Sequence, residues 1–149
     1  MVKKIVLGVV VILIAIQFIR PNKNESGYES VAFFEKETQP STEMQELLRS
    51  KCYDCHSYQT NYPWYAEIAP ISLWINHHVE EGNEHFNVSE WESYSTKKKD
   101  HKLEELIEEV EEGEMPLTSY TWLHGDLTPE EKEALIHWAK ELRTRYVVE

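Results

Sequence analysis

The chain has 149 residues, with 15 Lys and Arg against 27 Asp and Glu and a formal net charge of −12 at pH 7. This length is that of a single domain. The charge excludes nucleic acid as an expected partner, because phosphate binding requires clustered Lys and Arg. With 41% apolar and 11% aromatic residues, the composition supports a packed core, and two Cys cannot build a disulfide-rich scaffold.

An apolar segment opens the chain. Residues 5–19 are almost entirely apolar, and basic residues flank them: Lys3, Lys4 and Arg20. As a helix this segment would rise about 22 Å, short of a hydrocarbon core of ~30 Å, and no pair of small residues marks a cleavage site. We therefore expect residues 1–20 to be an uncleaved signal anchor that crosses the inner membrane once, with the rest in the periplasm. A buried core helix is the alternative.

The remainder divides into a linker and a domain. Residues 21–40 mix Pro, Gly, Asn, Ser and charge without clear periodicity, which predicts a linker, with residues 31–34 as a short docking piece. Residues 41–149 show one helix signal after another and no alternation of apolar and polar residues. The predicted fold class is therefore all-α.

The first helix signals come from caps and stops. One helix is predicted to open at Thr42, as its cap, and to run to Cys52. A second is predicted over residues 71–81, with Gly82 as its stop. Asn87 is the predicted cap of a short helix that follows.

Two further helices carry clearer patterns. Apolar residues recur at i, i+3, i+4 and i+7: Leu103, Leu106, Ile107 and Val110. Gly113 is the predicted end of that helix. In the last helix Thr128 is the predicted cap, Pro129 fits the first helical position and Glu131 completes a capping box.

Both cysteines, Cys52 and Cys55, lie in the pentapeptide CYDCH, which ends at His56. This pattern is typical of c-type haem attachment, since two thiols three residues apart can each form a thioether with a haem vinyl group. His56 would then be the proximal ligand of the iron. A ligating imidazole normally donates its other ring N–H to a carbonyl or carboxylate, and the carbonyls near Pro63 or Pro70 are the expected acceptors.

Three other interpretations of the Cys pair compete with haem attachment. A thioredoxin-type redox centre lies at a helix start after a strand, and the chain shows no strand pattern. A zinc site needs further ligands at short spacing, and there is no second Cys pair. A chance match to three positions is the third, and the export signal argues against it, because haem is attached to such motifs outside the bacterial cytoplasm.

For the distal ligand of the iron, the sequence offers several candidate residues. Met1 is expected in the cytoplasm and Met44 on the helix before the motif, which leaves Met115 in an irregular loop. The alternative for Met115 is an ordinary core methionine. His78 is its main rival, since it lies on the apolar stripe of its helix. Five other histidines follow: His77, His85, His101, His124 and His137.

The chain resembles the bacterial haem-binding domain family of small, exported, single-haem c-type cytochromes. The resemblance covers roughly residues 40–145 through CYDCHSYQTNYPWYAEIAPISLWINHHVEEGNEHFNVSEW, EEVEEGEMPLTSYTWLHGD and LTPEEKEALIHWA. It implies a cytochrome c-like helical fold, covalent haem c, His56 as proximal ligand and Met115 as distal ligand. An insert over residues 76–94, rich in His and aromatics, departs from ordinary small cytochromes c and keeps His78 open as a ligand.

These expectations define an electron carrier. Two filled axial positions would leave none for a substrate, so the protein would not be an enzyme. The rival class is a haem sensor or haem enzyme with a displaceable distal ligand, in which His77, His78 and Glu81 could form an acid-base group. Tyr62, Trp64 and Tyr65 are the aromatics expected to touch haem. The acidic run 104–114 is a solvated helix face that could also steer a basic redox partner.

Overall fold

A computed structural model describes residues 1–146, so the last three residues of the predicted domain 41–149 lie outside it. The described chain forms the α-helices α1 (Val2–Ile16), α2 (Ala32–Thr38), α3 (Thr42–Lys51), α4 (Tyr53–His56), α5 (Ile71–His85), α6 (Thr96–Glu112), α7 (Thr118–His124) and α8 (Pro129–Arg143). Three 3₁₀ helices complete it: Tyr28–Val31, Trp64–Glu67 and Val88–Ser93. Residues 1–146 contain no strand beyond one isolated bridge, which confirms the all-α prediction.

Helix ends follow local chemistry. The Thr128 hydroxyl accepts from the backbone N–H of Glu131 and the Glu131 carboxylate accepts from the backbone N–H of Thr128, as the capping box predicted. Gly113 ends α6 with φ 80°, also as predicted. The cap of α3 was predicted wrongly: it is Ser41, whose backbone is extended, while Thr42 is already helical.

Gly82 does not stop a helix. It was predicted to end a helix over residues 71–81, but α5 continues through it to His85. A Cβ atom at Gly82 would lie 2.6 Å from the carbonyl oxygen of Cys55. Glycine is present because α4 and α5 approach each other too closely for a side chain.

The segment predicted as a linker is structured over much of its length. Residues 28–38 form a 3₁₀ turn and α2, and Val31 and Phe34 are buried in the core. The Phe34 ring packs edge-on against Trp91, with ring centroids 5.2 Å apart. The docking piece expected within residues 31–34 is thus an integral part of the domain, because its apolar residues recur at helical spacing.

The main core lies between α6, α8 and α2. It surrounds the fully buried Trp91 and contains Leu103 of α6 and Leu142 of α8. Glu37 closes its edge, since its carboxylate accepts hydrogen bonds from Lys99 at 2.7 Å and from Tyr146 at 2.6 Å. This core supports the attachment motif from behind, through the buried ring of Tyr53.

α1 projects from the domain. None of its residues is buried, and only its end touches the rest of the chain, where the Gln17 amide bonds the backbone of Ala69. Among residues 1–146, no helix combines the length and the apolar character needed to cross a membrane.

Candidate functional site

The attachment motif forms one short helical turn. The backbone N–H groups of Cys55 and His56 both donate to the carbonyl oxygen of Cys52, at 3.2 and 3.0 Å. The three residues therefore stand at i, i+3 and i+4, which are neighbouring positions on one helix face. Neither cysteine is in a disulfide. The fold thus presents two thiols and an imidazole together.

The two thiols are held in their neutral form. Burial raises the pKa of Cys52 to about 12, and the negative charge of Asp54 acts in the same direction. Burial also raises the pKa of Cys55 to about 12. A reactive redox dithiol instead lowers the pKa of its attacking thiol. The site is therefore unlike a thioredoxin-type centre, because neither thiol is activated as a thiolate nucleophile.

The imidazole of His56 is oriented through its Nδ1 atom. Nδ1 lies 3.0 Å from the carbonyl oxygen of Gly82 and 2.9 Å from that of Phe86, so that Nδ1–H donates to both. Burial lowers the pKa of His56, against the opposite effect of these two carbonyls. The ring is thus neutral, with Nε2 left to bind a metal.

The acceptors of His56 were predicted wrongly. They are not near Pro63 or Pro70 but at the end of α5, 26 and 30 residues after His56. The reason is the close packing of α4 on α5 at Gly82, which brings the last turn of α5 over the imidazole. One residue, Gly82, therefore both permits the approach and supplies an acceptor.

Asp54 joins the motif to α7, a connection that sequence analysis missed. Its buried carboxylate accepts from the backbone N–H of Asn61 at 2.8 Å and from the Tyr120 hydroxyl at 2.9 Å. Burial, followed by the charge of Asp54, raises the pKa of Tyr120 well above its usual value, so the phenol stays a donor. Lys51 adds bonds to the carbonyl oxygens of His124 and Gly125 at 2.6 and 2.8 Å. Together they fix α7 against the motif.

A cavity opens beside the motif. It has a free volume of about 70 Å³, is partly open to solvent, and lies between α4, α5, α7 and residues 60–65. Its lining is largely apolar and includes Cys55, Tyr65, Trp74, Val79, Leu117 and Leu123. A concave, largely apolar lining with few polar groups is typical of a binding site for an apolar ligand or cofactor.

The sequence profile of the haem-binding domain family matches residues 11–141, which is most of the chain. The chain belongs to this family. The resemblance identified from the sequence is thereby confirmed, and haem is the group that the family binds. No curated protein and no solved structure matches the chain. The neutral His56 and the two free thiols have the chemistry that such a group needs. The apolar cavity borders the motif at Cys55, whereas Cys52 and His56 are not among its lining residues.

The haem-binding domain places its two candidate distal ligands differently. His78 lines the cavity with Cys55, and its Nδ1 lies 3.4 Å from the Glu81 carboxylate. Met115 is partly buried against the main core in the turn after α6, where its N–H donates to the carbonyl oxygen of Glu109 at 3.1 Å. Met115 is not among the cavity-lining residues. Its role as a ligand stays a prediction.

The aromatics near the motif divide as well. Tyr65 lines the cavity, as expected of a residue that touches haem. Tyr62 instead accepts a hydrogen bond from the backbone of Asn24 at 3.0 Å, and Trp64 is largely exposed. Of the three residues singled out in the sequence, Tyr65 alone belongs to the cavity wall.

Proposed function

We propose that this haem-binding domain is a c-type cytochrome that carries one electron at a time between partner proteins in the bacterial periplasm. The observation that carries the proposal is the juxtaposition of the two free thiols with an imidazole whose Nδ1–H is already engaged. Haem iron, when bound, supplies a centre that takes up and releases one electron.

Each residue of the site has a distinct task. Cys52 and Cys55 would hold haem covalently, and His56 would bind its iron through Nε2. Gly82 and Phe86 orient that ring and raise its basicity through their carbonyls. The apolar walls exclude water, which favours the less charged, reduced iron.

Ligation by a second protein residue would make the domain a carrier and not an enzyme. If Met115 were the distal ligand, the thioether would occupy the position at which a substrate could bind the iron. A thioether also raises the reduction potential relative to a second imidazole.

Covalent attachment can be tested by denaturation. In protein made in a host with a haem-attachment system, haem should stay with the polypeptide in acid and organic solvent. The double variant Cys52→Ala/Cys55→Ala should lose all of it. Cys52→Ala alone is the control, because one remaining thioether still retains haem. Haem that is extracted from the unmutated protein would contradict the c-type assignment.

The location is a second part of the proposal. The apolar residues 5–19 would attach the chain to the inner membrane, with Lys3 and Lys4 on the cytoplasmic side and the domain in the periplasm. Since α1 by itself is shorter than a membrane-spanning helix, this arrangement would require its flanking residues to lie in the headgroup region. The protein should then retain its N-terminus and sediment with membranes, and protease added to spheroplasts should digest the domain. A soluble periplasmic chain that starts near residue 20 would instead show a cleaved signal.

The acidic residues of α6 would attract a basic redox partner. The second half of the helix exposes several carboxylates: Glu108, Glu109, Glu111, Glu112 and the following Glu114. Lys140 pairs with Glu111 at 2.7 Å, which neutralises part of this face. The remaining charge would speed the encounter with a positively charged partner and would do so less at high salt.

One observation favours the second candidate function, a haem sensor or haem enzyme. His78 lines the cavity, and its Nδ1 lies 3.4 Å from the carboxylate of Glu81 just outside the lining, as in an acid-base pair. In that case the distal ligand would be weak or displaceable. Binding of carbon monoxide to the reduced protein separates the two functions.

A further inference from the structure

Large apolar side chains are exposed beside the end of α1. Trp64 is 77% exposed, and Ile68, Ile71 and Trp74 are 42–46% exposed. They belong to the 3₁₀ helix Trp64–Glu67, the turn that follows it and the first turn of α5. We call these four residues the α1-proximal surface. Trp74 also lines the cavity, so this surface continues to the rim of that cavity.

Hydrogen bonds from Gln17 and Arg20, which follow α1, hold the end of this helix against the middle of the surface. Gln17 Nε2 donates to the carbonyl oxygen of Ala69 at 2.8 Å, and Gln17 Oε1 accepts from the N–H of Ala69 at 3.0 Å. Arg20 donates to the carbonyl oxygen of Glu67 at 2.7 Å. Because Glu67 and Ala69 flank Ile68, the surface begins where the apolar segment of α1 ends.

The apolar character is continuous from α1 to the domain. After Lys3 and Lys4, α1 is apolar around its whole circumference, and a helix of that kind is stable in a protein core or a bilayer. Phe18 and Ile19, just beyond it, are also exposed. The polar residue Gln17 lies between α1 and Phe18. Its side-chain amide is fully hydrogen-bonded, to the backbone of Ala69 and to the carbonyl oxygen of Leu13. An apolar environment that stabilises α1 would therefore also stabilise the exposed apolar surface next to it.

We propose that the α1-proximal surface inserts into the headgroup region of the bilayer that holds α1. The inference rests on the proposed attachment of residues 5–19 to the membrane. Trp side chains favour this interfacial region, where an apolar ring meets water. An apolar segment of about 22 Å is short for a bilayer, and short segments draw their flanking residues toward the lipid.

This contact would orient the haem-binding domain. Since Trp74 belongs both to the surface and to the cavity wall, the haem site would open close to the lipid and not on the far side of the domain. Lys23, which lies 3.8 Å from Glu25 and also pairs with Glu67, stands at the rim of the contact, where a cation meets anionic headgroups. The electron-transfer partner that fits this arrangement is itself in or on the membrane.

Oxidative footprinting of the full-length protein with haem tests the contact. In vesicles of phosphatidylethanolamine and phosphatidylglycerol, oxidation of Trp side chains by hydroxyl radicals would be measured by mass spectrometry. Trp122 on α7 is the internal control, because its exposure of 79% matches the 77% of Trp64. We expect Trp64 to be oxidised severalfold less than Trp122.

A variant separates lipid from protein contacts. Gln17→Ala/Arg20→Ala removes all three bonds to Glu67 and Ala69 and should leave the protein on the vesicles while Trp64 becomes as reactive as Trp122. Gln45→Ala/Arg49→Ala on α3 is the matched control and should leave the protection of Trp64 unchanged. Equal oxidation of Trp64 and Trp122 in vesicle-bound protein, or protection that Gln17→Ala/Arg20→Ala leaves unchanged, would overturn the inference and leave membrane attachment intact. Failure to float with the vesicles would overturn both.

Discussion

Replacement of Met115 by Leu is expected to open the sixth coordination position of the haem iron. Leu keeps the volume of the side chain but lacks the thioether, and such a swap usually costs less than about 1.5 kcal/mol of stability. Loss of the thioether should lower the reduction potential and let carbon monoxide bind rapidly to the reduced protein. The unmutated protein should bind carbon monoxide slowly or not at all. Redox titration measures the potential, and stopped-flow spectroscopy measures the rate of carbon monoxide binding.

His78→Ala is the comparison. His78 is a half-buried residue that packs on Trp74, with ring centroids 4.5 Å apart, so its loss should reduce stability and leave the haem spectrum unchanged. The reverse pattern, an intact spectrum in Met115→Leu and an altered one in His78→Ala, would make this a bis-histidine haem. If the unmutated reduced protein bound carbon monoxide at once, the sensor or enzyme function would replace the carrier.

Gly82→Ala is expected to destabilise the protein and to impair haem retention. Helix propensity alone would favour Ala by about 1 kcal/mol. The new Cβ would lie 2.6 Å from the carbonyl oxygen of Cys55 and 3.0 Å from its Cβ, however, so α4 and α5 must separate. Overpacking of this kind costs about 1–3 kcal/mol, and the bond from His56 Nδ1 to Gly82 would be strained with it. The net result is a lower free energy of unfolding.

Gly113→Ala is the control for this variant. Nothing lies within 4 Å of a Cβ at Gly113, but its φ of 80° is unfavourable for Ala, by about 1 kcal/mol. Denaturant titration and the ratio of haem to polypeptide should show a loss of stability in both variants and a loss of haem in Gly82→Ala alone. A fully loaded Gly82→Ala protein would contradict the role assigned to this contact.

Local signals predicted the parts of the fold that depend on neighbouring residues. The capping box at Thr128 and the glycine end of α6 at Gly113 are satisfied within a few residues, so the sequence suffices for them. The CYDCH motif is equally local. α7 was not predicted, because residues 118–124 show no apolar periodicity and depend on Tyr120 reaching Asp54.

Contacts between distant residues escaped sequence analysis. Gly82 follows the usual pattern of a helix stop, and only the approach of Cys55 from 27 residues earlier explains why it lies inside α5. The acceptors of His56 were misplaced for the same reason. Propensity describes a segment in isolation, whereas these positions are determined by the packing of two helices.

The separation of the main core from the cavity bears on the order in which the protein assembles. In the described part of the chain, the buried core residues around Trp91 include none of those that line the cavity. α6 and α8 meet in that core, and neither helix contributes a residue to the lining of the cavity. We therefore expect the core, which includes Tyr53 of α4, to pack without the cofactor, so that α5 and α7 would close around the haem on a scaffold that already exists.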